Sequence, residues 1–145
     1  MTDWNRRFMD LAQHVSDWSK DPSTQAAAVI VDPDRRVVSF GYNGLPRKVQ
    51  DLPERYDNRE LKYKMILHAE RNALLFAREP LKGYTIYVYP MMPCATCASM
   101  IIQAGISTVI APYGNNPRWQ VDFELSKQLF DEAGLDLHIL EGARQ

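Results

Sequence analysis

The run Tyr84-Thr85-Ile86-Tyr87-Val88-Tyr89, followed by Pro93-Cys94-Ala95-Thr96-Cys97 and then by Thr108-Val109-Ile110-Ala111, decides the fold. Every residue from Tyr84 to Tyr89 is β-branched or aromatic, which marks a strand. Ala95 to Ala104 fits a helix closed by Gly105, and Thr108 to Ala111 fits a short second strand. Strand, helix and strand joined this tightly predict a right-handed parallel crossover, and a parallel pair belongs to an α/β protein.

Toward the N-terminus, Trp4, Phe8, Leu11, Val15 and Trp18 recur at steps of four and three among charged residues, predicting an amphipathic helix over 3–19 with both Trp in the core. Thr2 or Asp3 is placed to cap it. Ser19 to Thr24 breaks the helix, and Ala26 to Val31 reads as a strand covered on both faces. Asp32-Pro33-Asp34 then turns the chain into Val37 to Tyr42, an antiparallel neighbour. Residues 45–65 are polar, Pro-bearing and without a clean period. A loop that long is usually functional, and this one runs into His68, so it is a candidate lid.

From Ala69 a helix is expected to about Arg78. Near the C-terminus, Val121, Leu125, Leu129 and Ala133 mark the inner stripe of a further helix ending at Gly134. Leu135, Leu137 and Ile139 alternate with Asp136 and His138 in a last strand, so His138 points away from the apolar set. Together these elements predict a three-layer α/β/α fold around a five-stranded mixed sheet, one domain over 1–145.

The 145 residues carry a net charge of −1 with no basic block, which disfavours a large nucleic-acid footprint and a membrane-surface role. A small soluble substrate is the simpler expectation. The polar, charged N-terminus carries no secretory leader, and no apolar run reaches membrane-span length, so a cytoplasmic protein is expected. The chain's two Cys stand three apart, poor disulfide material that a reducing compartment leaves available to metal.

His68, Cys94 and Cys97 are donors suited to Zn²⁺, and three protein ligands on a tetrahedral ion leave one position for water, which marks a catalytic site. Glu70, two residues after His68, cannot reach the same ion from inside a regular helix. His68 is therefore expected just before a helix begins, and the two Cys in the first turn of another. Two helix N-termini would then favour thiolate over thiol. His14 is read as a boundary or surface residue and His138 as structural or solvent-facing, neither as a ligand.

The pattern His68-Ala69-Glu70 with Pro93-Cys94-Ala95-Thr96-Cys97 resembles the signature of zinc nucleobase deaminases. Ser19-Lys20-Asp21-Pro22-Ser23-Thr24-Gln25, Gly41-Tyr42-Asn43-Gly44 and Ile101-Ile102-Gln103-Ala104-Gly105-Ile106 narrow the resemblance to the deoxycytidylate (dCMP) deaminase family of the cytidine deaminase superfamily. The resemblance implies the cytidine-deaminase-like three-layer fold, one catalytic Zn²⁺ per chain and a homo-oligomer, hexamer or dimer. It also implies a small nucleotide substrate, dCMP converted to dUMP and ammonia, with Glu70 moving protons during hydrolysis at C4 of the cytosine. By the same resemblance Lys20 meets the 5′-phosphate, Asn43 the sugar, and Tyr113 borders the base. Other small bases or nucleosides (cytidine, guanine, a modified cytosine), a base in RNA, and a zinc-stabilised interaction module stay open as alternatives. Some relatives hold a second, structural zinc, for which this chain has no spare Cys or His.

Overall fold

The computed structural model describes residues 3–141. The chain runs α1 (Trp4–Ser16), β1 (Ala27–Val31), β2 (Val37–Tyr42), α2 (Pro53–Asp57), α3 (Arg59–Met65), α4 (Ala69–Phe76), β3 (Thr85–Tyr89), α5 (Ala95–Gln103), β4 (Thr108–Ala111), a 3₁₀ turn (Pro117–Trp119), α6 (Gln120–Ala133) and β5 (Asp136–Ile139). The five strands form one sheet in the order β2-β1-β3-β4-β5. β1 is antiparallel to both β2 and β3, while β3, β4 and β5 run parallel. The β1–β2 hairpin and the parallel β3–α5–β4 unit are the predicted ones.

Alternation along the strands sorts the core into two layers. Ala27, Val29, Val31, Tyr87 and Ile110 pack with Phe8, Met9, Ala12 and Val15 of α1. Ala28, Ile30, Ile86, Val88, Val109 and Ala111 pack with Ala69 and Ala73 of α4, Ala98 and Ile101 of α5, and Phe123 and Phe130 of α6. One helix thus covers one face of the sheet and three cover the other. No helix among the described residues is long and apolar enough to cross a membrane.

Gly41 explains how α4 sits so close to β2. A Cβ there would lie 2.6 Å from the Ala73 nitrogen and 2.9 Å from the Ala69 oxygen, so only glycine admits the helix. Ser39, on the same face, donates its hydroxyl to the Ala73 carbonyl at 2.6 Å.

Three expectations need correction. Residues 45–65 hold two short helices, α2 and α3, not an irregular loop. Pro53 opens the first and the Asn58 side chain caps the second, accepting from Leu61 N at 3.1 Å. Helices of 5 and 7 residues are too short to display a period. In α6 the buried residues are Phe123, Ser126 and Phe130, whereas Val121 is 85 % exposed and Ala133 is exposed too. An apolar stripe read at steps of four fell one turn-edge away from the true inner face, because a buried serine interrupts that face. Trp18 is 48 % exposed, standing edge-on to Phe40 and Tyr42 instead of entering the core. Tyr87 and Met92 are buried within the chain. Asp3 caps α1, accepting from Arg6 N at 3.1 Å; the other candidate cap, Thr2, lies outside the described residues.

Candidate active site

His68 is the residue immediately before α4, with extended φ −67° and ψ 154°. Its imidazole makes no cap bond to that helix and turns instead toward α5. Cys94 holds the equivalent position before α5, and Cys97 lies in that helix's first turn. The His68 Nδ1 atom is 3.5 Å from Cys94 Sγ and 3.4 Å from Cys97 Sγ. A tetrahedral ion with Zn–S of about 2.3 Å and Zn–N of about 2.1 Å places sulfur and nitrogen about 3.6 Å apart, so these donors fit zinc. Among the described residues they form the one group of three or more such side chains that could hold a metal.

Electrostatics agree with that fit. Cys94 is drawn far below the ordinary thiol range, first by the hydrogen bond with Cys97 and then by His68, while Cys97 is pushed up by Cys94 beside it and by burial. Two thiols this close share a deficit of positive charge that a divalent cation relieves. Burial lowers the His68 pKa, but the hydrogen bond to Cys94 and the charge of Glu70 outweigh it and leave it raised. Arg71, one helical residue on, donates through Nη2 to Cys94 Sγ at 3.8 Å. Burial alone would lower its pKa, but the two sulfurs outweigh that and leave it raised.

Glu70 is 5 % exposed, and burial pushes its pKa above the usual carboxylate range. It lines a cavity of about 300 Å³ together with His68, Ala69 and Cys94, the lower end of ordinary ligand-site volumes. Trp119 stands edge-on to His68, their ring centres 6.4 Å apart, and Tyr63 edge-on to Trp119. Three cations, Arg59, Lys62 and Arg118, share the cavity wall. Arg118 Nη1 donates to the Tyr63 hydroxyl at 2.8 Å, and Lys62 Nζ lies 2.8 Å from the Asp21 carboxylate. The arrangement is a protonatable carboxyl beside the metal donors, in a pocket whose wall also carries aromatic rings, three cations and the carboxylates of Asp21 and Asp57.

The family model described as the cytidine and deoxycytidylate deaminase zinc-binding region matches residues 2–112. The chain belongs to that family. It is a zinc-dependent deaminase, a hydrolase, and His68, Cys94 and Cys97 are positioned to bind its metal. Among curated relatives it is 44% identical over 137 residues to an uncharacterized deaminase of Aliivibrio fischeri, covering 92% of this chain and 91% of that one. It is 40% identical over 114 residues to the deoxycytidylate deaminase of Homo sapiens, covering 74% of this chain and 64% of that one, so the chain spans about two thirds of the human protein. In fold it matches a dCMP deaminase from the cyanophage S-TIM5, solved in complex with dCMP and dUMP. There the TM-score is 0.74 at 24% identity, over 92% of this chain and 94% of that one.

Within the deaminase cavity the residues singled out from sequence divide sharply. His68, Glu70, Cys94 and Asn43 line it. Cys97 sits fully buried behind Cys94. The Asn43 amide, however, is occupied by the turn before β1. It donates to Thr24 O at 2.8 Å and Asp21 Oδ2 at 3.2 Å, and its oxygen accepts from Ala26 N at 2.9 Å. Lys20 is not part of the wall. Its ammonium pairs with Asp51 at 3.0 Å with the side chain 71 % exposed, because Lys20 and Asp21 alternate and the inward position goes to Asp21. Tyr113 is also absent from the wall; it donates to Glu124 at 2.9 Å and packs edge-on against Phe123. Sequence reasoning missed Arg59, Lys62, Arg118 and Trp119. The cluster Arg59, Lys62 and Lys64 was visible as charge, but only the placement of α3 says which of them faces inward.

Proposed function

We propose that this chain hydrolyses dCMP to dUMP and ammonia, and that the observation carrying this reading is the trio Arg59, Lys62 and Arg118 on the wall of the cavity that holds Glu70 and the metal donors. A nucleoside needs no such charge; a 5′-phosphate does. This reading moves the phosphate contact from Lys20 to these three. The dCMP deaminase relatives support the deoxynucleotide as substrate.

When bound, zinc brings the pKa of its water to about 7, supplying a nucleophile at working pH. His68, Cys94 and Cys97 would hold the metal. Glu70 accepts a proton from the attacking water and passes it to N3 of the cytosine, then takes the second proton from the new C4 hydroxyl and delivers it to the amine that leaves from C4. Burial suits it to this double duty, since a raised pKa makes the protonated state accessible. Trp119, edge-on to His68, borders the base, and Asn43 holds the 21–26 turn that forms the neighbouring wall.

Assembly as a homo-oligomer, hexamer or dimer, belongs to the same reading. Its support is the exposed aromatic group Trp18, Phe40 and Tyr42, on the sheet face that α1 alone covers. A reducing, cytoplasmic setting suits thiol ligands. The test is ammonia release across cytosine, cytidine, deoxycytidine, CMP and dCMP, with dCMP expected to give the highest kcat/KM. Preference for deoxycytidine or cytosine would overturn the phosphate assignment.

A further inference from the structure

The turn that carries the cysteines is held from outside its own helix. Cys94 Sγ accepts the Cys97 N–H at 3.4 Å, so one sulfur both caps α5 and faces the metal position. The first N–H groups of a helix have no partner in its own ladder. That of Ala95 is taken by Asp122 Oδ2, in the first turn of α6, at 2.7 Å. One turn further along α6, the fully buried Ser126 hydroxyl donates to Pro93 O at 2.8 Å, with Asp122 O at 3.1 Å as a second acceptor. Between them Phe123 is buried and lines the cavity.

These two bonds grip different peptide units. The Pro93 carbonyl belongs to the peptide before the Cys94 Cα, and the Ala95 N–H belongs to the peptide after it. Fixing both planes fixes φ and ψ of Cys94, which stand at −69° and 168°, and therefore the direction of its Cα–Cβ bond. We propose that Asp122 and Ser126 are positioning residues for the metal, holding Cys94 Sγ at its 3.5 Å from His68 Nδ1 through the backbone on either side of it. Asp122 carries the larger share, because a carboxylate acceptor makes the stronger bond. Ser126 explains in turn why the inner stripe of α6 contains a hydroxyl between two phenylalanines: the Pro93 carbonyl is buried and needs a donor.

The test compares holoprotein with Asp122→Ala, Asp122→Asn and Ser126→Ala by zinc affinity in competition with a chromophoric chelator, and by the visible spectrum of the Co²⁺-substituted protein. Asp3→Ala is the control, since Asp3 caps α1 with the same kind of bond and makes none to the cysteine turn. Loss of a group that orients a ligand costs about 10- to 100-fold in metal affinity, and Asp122→Ala is expected in that range with a shifted Co²⁺ spectrum. Asp122→Asn, which keeps an acceptor oxygen, recovers most of the affinity, and Ser126→Ala loses less than Asp122→Ala. Asp3→Ala lowers the melting temperature and leaves zinc affinity unchanged. If Asp122→Ala does not fold, Ser126→Ala and Asp122→Asn decide on the same readouts. Zinc affinity within about twofold of wild type, with an unchanged Co²⁺ spectrum in every variant that folds, makes Asp122 and Ser126 ordinary packing residues and overturns the proposal.

Discussion

The metal donors and the cations of the cavity wall are held in opposite ways. His68 and Cys94 stand at the starts of α4 and α5, whose inner residues Ala69, Ala73, Cys97, Ala98 and Ile101 are fully buried, and α4 rests on β2 at Gly41. Arg59 and Lys62 ride on α3, which buries none of its residues, and Arg118 on a 3₁₀ turn that also buries none. That side is tied down by side chains: Lys62 to Asp21, Lys20 to Asp51, Arg118 to Tyr63. On the proposed reading, reaction chemistry is thus anchored in the core and recognition is carried by surface elements. Damage to the first should cost stability and turnover together, whereas damage to the second should change selectivity while the fold persists.

Cys97→Ala is the largest expected effect. It removes a metal donor, so zinc and turnover are both lost; with zinc at about 1,000 times its Kd, binding adds about 4 kcal/mol of stability that this variant forfeits. Metal analysis with thermal melting checks it, and full zinc retention breaks the comparison at its firm end. Next comes Glu70→Gln, which should keep zinc and fold yet lower kcat by at least about 10²- to 10⁴-fold. Retained turnover in zinc-loaded Glu70→Gln protein would remove Glu70 from the mechanism.

On the other side, Arg118→Ala should lower kcat/KM for dCMP by about 10- to 150-fold, the equivalent of a charge-assisted contact of about 1.5–3 kcal/mol, and leave deoxycytidine turnover nearly unchanged. An equal loss for both substrates would make Arg118 a structural residue. The smallest effect belongs to Asp51, whose carboxyl is held below its usual range by hydrogen bonds from Lys20 first and Tyr56 second. A depressed pKa stabilises the fold above the ordinary Asp value, and that contribution disappears as pH falls through the depressed one. Asp51→Asn should therefore melt slightly below wild type at pH 7, by less than about 1 kcal/mol for so exposed a pair, and the two curves should converge on acidification.

The same contrast explains what could be read from the residues alone. Tyr84 to Ala111 declared the parallel unit because strand propensity, a glycine stop and short joints all agree there. The ligand set was legible because an H-x-E spacing forces His68 off the helix, which is where it stands. Lys20 was misplaced because adjacent residues in a turn point opposite ways, and sequence does not say which faces inward. Arg59, Lys62 and Arg118 converge only after α3 and the turn before α6 fold against one another, a non-local event with no periodic trace. Val121 and Leu125 misled for a related reason: the inner face of α6 includes Ser126, whose presence follows from a distant carbonyl at Pro93 and not from hydrophobicity.

The most direct measurement is ammonia release by zinc-loaded protein supplied with dCMP or with deoxycytidine at matched concentration, before and after the metal is stripped. The account predicts turnover of dCMP at a kcat/KM at least about tenfold above deoxycytidine, a margin set by charge-assisted recognition of the phosphate. It also predicts that turnover vanishes without zinc and returns on its addition. Equal turnover of the two substrates, or turnover that survives removal of zinc, would contradict it.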